Sequence, residues 1–128
     1  MKTIKMISIS LLFGLFLILS AHVHAQDPVT VAPNVYKKIL LENDNIRVVQ
    51  VELAPQETIP WHSHPDHFVY AITDGKLEIT DKGKPAVVTE IKAGEAVYMI
   101  ATTHMVKNIG ANPIKFIVTD LKTITTKQ

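Results

Sequence analysis

Gln56-Glu57-Thr58-Ile59-Pro60-Trp61-His62-Ser63-His64-Pro65-Asp66-His67-Phe68-Val69-Tyr70-Ala71-Ile72-Thr73-Asp74-Gly75 carries three of the chain's histidines and alternates β-forming runs with turn residues. Phe68 to Thr73 and Lys76 to Thr80 flank Asp74-Gly75, a dipeptide suited to a tight hairpin because both positions tolerate positive φ. Working outward, Ile46 to Leu53, Ala86 to Ile91, Ala96 to Ile100, His104 to Ile109 and Ile114 to Leu121 are further short β-rich segments. They are separated by Asp81-Lys82-Gly83-Lys84-Pro85, Lys92-Ala93-Gly94-Glu95 and Gly110-Ala111-Asn112-Pro113. Seven or eight short strands with no helical period after residue 25 predict an all-β sandwich or barrel.

The 128 residues have room for one domain, and 47% hydrophobic with 20% charged residues is the composition of a packed globular protein. Residues 1–25 read as a secretory signal peptide: Lys2 and Lys5 precede an apolar run from Met6 to Leu19, and small residues end it, with cleavage expected after Ala25. An uncleaved anchor is the competing reading, since apolar character stretches from Ile4 to Val23. The remainder divides into an N-terminal arm over residues 26–35, a β-domain over 36–122 and a polar tail over 123–128. The expected location is periplasmic or secreted, with no membrane association after cleavage.

Losing Lys2 and Lys5 leaves eleven basic residues against twelve acidic ones, so the mature domain is close to neutral. Such a surface gives no electrostatic case for nucleic acid. The chain has no cysteine, which excludes disulfides, thiolate ligands and a cysteine nucleophile. A small domain with unpaired strand edges is expected to form a homodimer.

Four histidines follow residue 25: His62, His64, His67 and, forty residues beyond His64, His104. On an extended strand His62 and His64 leave the same face and can converge on one ion, with His104 the only histidine distant in sequence that could join them. The alternative is that His62-Ser63-His64 is an ordinary surface stretch before the Pro65-Asp66 turn.

Residues 40–121 also resemble the cupins. His62, His64 and Gly75 match the first cupin signature, and Gly94 through His104 to Asn108 is similar to the second. Leu40 to Val48 looks like the opening of small stand-alone bacterial cupins. The resemblance implies a jelly-roll β-barrel, a double-stranded β-helix, holding one divalent metal in its mouth with His62, His64 and His104 as ligands. Gln56 stands where that signature has glycine, and Ile100 and Thr102 replace the usual proline and glycine. Phe68 occupies the place of the signature glutamate and cannot ligate.

A three-histidine site is therefore expected, with His67 as a fourth ligand if the backbone bulges near Pro65-Asp66, and Asp66 as a weaker candidate. Three neutral imidazoles leave an ion its full charge and make it a stronger Lewis acid. By analogy with three-histidine cupins, the expected activity is a dioxygenase acting on a small chelating substrate. A metal-dependent isomerase or lyase and a non-enzymatic binding protein are the alternatives. The leader has no twin-arginine pair, so the ion would be acquired outside, where copper, nickel and zinc outcompete iron and manganese, although oxygen chemistry favours iron. Arg47 is expected to be solvated or ion-paired, Trp61 to face away from the metal, Tyr70 and Tyr98 to pack in the core, and Asn108 to hold backbone.

Overall fold

A computed structural model describes residues 26–123. The leader expected over residues 1–25, and all of the tail beyond Thr123, lie outside the described residues. Among the described residues no helix is long and apolar enough to cross a membrane. A four-residue helix, α1 (Pro28–Val31), precedes nine strands: β1 (Tyr36–Glu42), β2 (Ile46–Leu53), β3 (Thr58–His64), β4 (His67–Ala71), β5 (Gly75–Asp81), β6 (Val87–Ile91), β7 (Ala96–Met99), β8 (Thr102–Asn108) and β9 (Ile114–Leu121). They form two antiparallel sheets, ordered β1-β2-β9-β4-β7 and β3-β8-β5-β6. This is the jelly roll, and the all-β expectation holds with one or two strands more than the turn count gave.

Period-two alternation builds the core. In β2 the inward residues are Val49, Val51 and Leu53, and each faces an inward partner on β9: Val118, Phe116 and Ile114. Ile59, Leu77 and Val106 close this layer from the other sheet. Each such side chain contributes roughly 1.5–3 kcal/mol on burial, so this apolar block holds the sheets face to face.

Two local expectations are corrected and a third holds. Asp74-Gly75 is not a hairpin turn, because β4 and β5 belong to different sheets and do not pair. The chain crosses over there, and Gly75 is required for a different reason: a Cβ would lie 2.5 Å from Ile114 Cδ1 and 2.6 Å from its Cγ1. The arm is not irregular throughout. Asp27 caps α1 by accepting from the Val29 N–H, Pro28 opens the helix, and the Gln26 carbonyl accepts from Ser63 N–H at 3.0 Å. Arg47 is ion-paired as expected, to Asp27 of this arm and to Asp120 of β9.

Gln56, standing at the signature's glycine position, adopts φ 65°, the left-handed conformation that glycine would take without strain. The departure therefore bears on a turn, as its sequence context implied. Gly83 and Gly94, in two of the expected turns, have φ 78° and 88°.

Gly75→Ala is predicted to destabilise the domain by about 1–3 kcal/mol, since Ile114 is fully buried and has nowhere to move. Urea unfolding should show a lower midpoint at an unchanged slope.

Candidate metal centre

The polar end of the barrel interior is built by register. His62 on β3 lies directly opposite His104 on β8, and His64 lies two residues on, opposite Thr102. All three imidazoles leave the four-stranded sheet inward. From the facing sheet, His67 on β4 stands opposite Asp120 on β9. All four histidines and Asp120 are buried, His62 and His67 to 1% exposure.

The ring centroids of His62 and His104 are 4.6 Å apart, those of His62 and His64 4.9 Å, and those of His64 and His104 5.5 Å. Each of these three residues offers a nitrogen within 4.8 Å of the other two. His67 stacks on His64 at 4.4 Å and 27°, and its centroid is 6.3 Å from that of His104. It belongs to a second group with His64 and Asp120. The structure thus brings together the three histidines expected from the sequence, with His67 beside them.

Hydrogen bonds fix how the rings are aimed. His62 Nδ1 donates to the Pro60 carbonyl at 2.7 Å, His67 Nδ1 to the Pro65 carbonyl at 2.8 Å, and His64 Nδ1 to Asp120 Oδ1 at 2.9 Å. With Nδ1 carrying the proton, the Nε2 lone pair of each ring is left for the cavity. His104 Nδ1 is the one buried side-chain polar atom among the described residues without a hydrogen bond, with Asp81 Oδ1 3.7 Å away. Three buried imidazoles whose nitrogens lie within 4.8 Å of one another, two of them with Nδ1 already tied down, are a donor set that fits a divalent cation.

The electrostatics favour the ligating form. Burial pushes His62 down to about 4, against a raising hydrogen bond to Pro60. Burial, then the neighbouring His62, His64 and His67, pushes His104 down to about 3. Burial also lowers His67. These rings are neutral at neutral pH, as metal binding requires. Burial alone would raise Asp120, but hydrogen bonds from His64 and Arg47 outweigh it and hold the carboxylate ionised.

Several site residues differ from expectation. Phe68, counted to the signature glutamate, points outward and is 37% exposed, while its neighbour His67 is inward on a regularly alternating β4. No bulge near Pro65-Asp66 is needed, because the corner there carries the chain from one sheet to the other and resets which parity faces in. Asp66 is outside the cavity, accepting from the Tyr98 hydroxyl and the Ala101 N–H. Tyr70 and Tyr98 are exposed rather than packed in the core. Trp61 is outward, 43% exposed, and Asn108 holds the Leu53 and Asn112 carbonyls, both as expected.

Two residues were missed. Asp120 keeps parity with inward Ile114, Phe116 and Val118, so an acidic residue on an apolar strand face was the available signal. Tyr36 lines the cavity, with its hydroxyl 3.5 Å from His64 Nε2, and burial raises its pKa. Two register irregularities in β1 hide its parity.

The comparisons agree with this architecture. The cupin domain family model matches residues 49–120, and the chain belongs to that family. A cupin domain protein from Bordetella pertussis superposes with TM-score 0.62 at 20% identity, covering 67% of this chain and 91% of its own. A cupin family protein with a double-stranded β-helix fold from Methanocaldococcus jannaschii gives TM-score 0.55 at 20% identity, covering 66% and 77%. A cupin-like protein from Thermotoga maritima gives 0.52 at 24%, covering 67% of each chain. None of the curated proteins matches the chain. A cupin barrel with this three-histidine group is compatible with metal binding.

The lowered histidines predict how stability depends on pH. With an ordinary value of 6.5 unfolded and about 4 and 3 folded for His62 and His104, the unfolded chain binds more protons between these limits. Chelator-treated protein should be uniformly stable above pH 6.5 and lose several kcal/mol, an order-of-magnitude figure, as pH falls towards 4 and then 3. Denaturant titrations at stepped pH read this directly. A flat profile would mean the rings are hydrated.

Proposed function

We propose that the chain is an exported, metal-binding cupin in which His62, His64 and His104 hold one divalent ion, and that it is a small metalloenzyme of dioxygenase type acting on a chelating substrate. The observation that carries this reading is the aim of the rings. His62 and His64 have Nδ1 committed to fixed acceptors, and His104 offers a ring nitrogen within 4.8 Å of theirs. Export rests on the leader pattern of residues 1–25, and oxygen chemistry on the resemblance to three-histidine cupins. The homodimer stays part of the proposal, with outward Phe68, Tyr70 and Tyr98 as apolar surface for a second copy.

When bound, the ion supplies Lewis acidity and open coordination positions for an anionic head. The protein supplies orientation. Asp120 accepts from His64 Nδ1–H through Oδ1, while its Oδ2 is held by Arg47 at 3.0 Å, and Arg47 in turn is clamped by Asp27 at 2.7 Å. This chain of charges fixes the His64 ring and makes it a better donor. Tyr36, neutral because burial raises it, is the phenol beside His64 and can share a proton with a bound anion. His67 stands next to the triad with no hydrogen bond to Nε2 among the described residues, and can accept a proton there. That fourth imidazole is the observation favouring a metal-dependent isomerase or lyase as the second reading.

Elemental analysis of the purified protein is expected to find about one equivalent of a divalent metal per chain, lost in His62→Ala and in His104→Ala. Asp120→Ala should weaken metal binding by roughly ten- to hundredfold, with Asp120→Asn recovering part of it. Substrate-dependent oxygen uptake supports the dioxygenase reading, whereas turnover without it supports the isomerase. Equal metal traces in the protein and both histidine variants would remove the metal centre.

A further inference from the structure

The cavity behind the histidines has a composition that constrains what can occupy it. It measures about 220 Å³, and its polar lining is confined to the four imidazoles, Tyr36 and Thr89. Ile59, Val69, Leu77, Val106, Phe116 and Val118 are prominent among the aliphatic and aromatic side chains that form the rest of its wall. No lysine, arginine, aspartate or glutamate lines it. The nearest cation built into the site is Arg47, and its guanidinium is already spent on Asp27 and Asp120.

We propose that the ligand of this chamber is a molecule with a single metal-chelating head and an uncharged apolar body, about the size of one ring or a short alkyl chain. The inference rests on the metal-centre reading for the head and on the chamber wall alone for the body. An apolar cavity of about 150 Å³ holds benzene, so 220 Å³ takes such a ring with a few further atoms. The histidines and any ion they hold lie at one end, so the head is fixed there and the body extends between the sheets against Leu77, Val106 and Val118. A second charge on the body would be buried without a partner, a cost that apolar contacts of this size do not recover. Compounds charged at the end far from the head, such as long dicarboxylates, acidic and basic amino acids, phosphorylated sugars and nucleotides, are thereby excluded, and no polar row exists to bind the hydroxyls of a free sugar.

The test uses two arms. In the first, zinc-loaded protein is titrated calorimetrically with straight-chain hydroxamic acids from acetohydroxamic to hexanohydroxamic acid, and with a hydroxamic acid of the longest length ending in a carboxylate. The dissociation constant should fall about fourfold per added methylene until the chamber is full, and the carboxylate-ended compound should bind at least a hundredfold more weakly than its alkyl counterpart. Val69→Phe, which fills the chamber, should keep acetohydroxamic acid binding and lose the gain with length. A flat series, or a carboxylate-ended compound binding as tightly as the alkyl one, overturns the proposal. In the second arm, metal-free protein is titrated with toluene while methyl resonances are followed. Those of Leu77, Val106 and Val118 should shift, and those of exposed Val87 and Val88 should not. Toluene shifts without hydroxamate binding to protein that carries one zinc would overturn the chelating head while leaving the apolar body, whereas protein that takes up no zinc would overturn the metal centre instead. Unmoved methyls would overturn the body itself.

Discussion

One extra residue in β3 decides what the barrel interior contains. Ile59 pairs with Val106 and His62 with His104, so three steps along β3 match two along β8. The strand bulges at Pro60-Trp61, and both Ile59 and His62 face inward although they are three apart. Strict alternation from Ile59 would have sent Trp61 and Ser63 into the barrel and both histidines to solvent. Proline suits the bulge because it has no N–H to leave unpaired, and its free carbonyl becomes the acceptor that fixes His62. The irregularity that breaks the ladder is therefore also the one that orients the ring.

The same economy runs through the rest of the site. Burying four imidazoles and a carboxylate is unfavourable unless each polar atom has a partner. Here the partners are drawn from every side: backbone carbonyls of Pro60 and Pro65, the Asp120 carboxylate, and behind it Arg47 and the arm residue Asp27. His104 Nδ1 is the exception. The apolar layer of Val49, Val51, Leu53, Ile114, Phe116 and Val118 carries the stability that lets this end of the barrel keep a buried polar group unsatisfied. Below the histidines the cavity returns to apolar walls, so the interior has a chelating end and a greasy end with little in between.

Much of this was legible in the residues. Strand content, turn glycines at Gly83 and Gly94, and the shared face of His62 and His64 follow from local periodicity and turn chemistry, and they held. What was not legible depended on which sheet a strand joins. Asp74-Gly75 has the chemistry of a hairpin, yet the chain crosses between sheets there, and Gly75 answers to Ile114, a contact across nearly forty residues. Counting along the signature selected Phe68 for an inward place, whereas the corner at Pro65-Asp66 hands that place to His67. Asp120 was readable from its parity on β9, and Tyr36 was not, because bulges in β1 scramble its alternation. Sequence patterns report a strand's own faces well and report poorly which face becomes the inside.

The central claim is that imidazoles from β3 and β8 share one cation. X-ray absorption at the zinc edge of the zinc-loaded protein tests it most directly. The account predicts at least three imidazole nitrogens at about 2.0–2.1 Å, with one of them lost in His104→Ala. A spectrum of oxygen ligands with one imidazole or none, unchanged by that substitution, would contradict it.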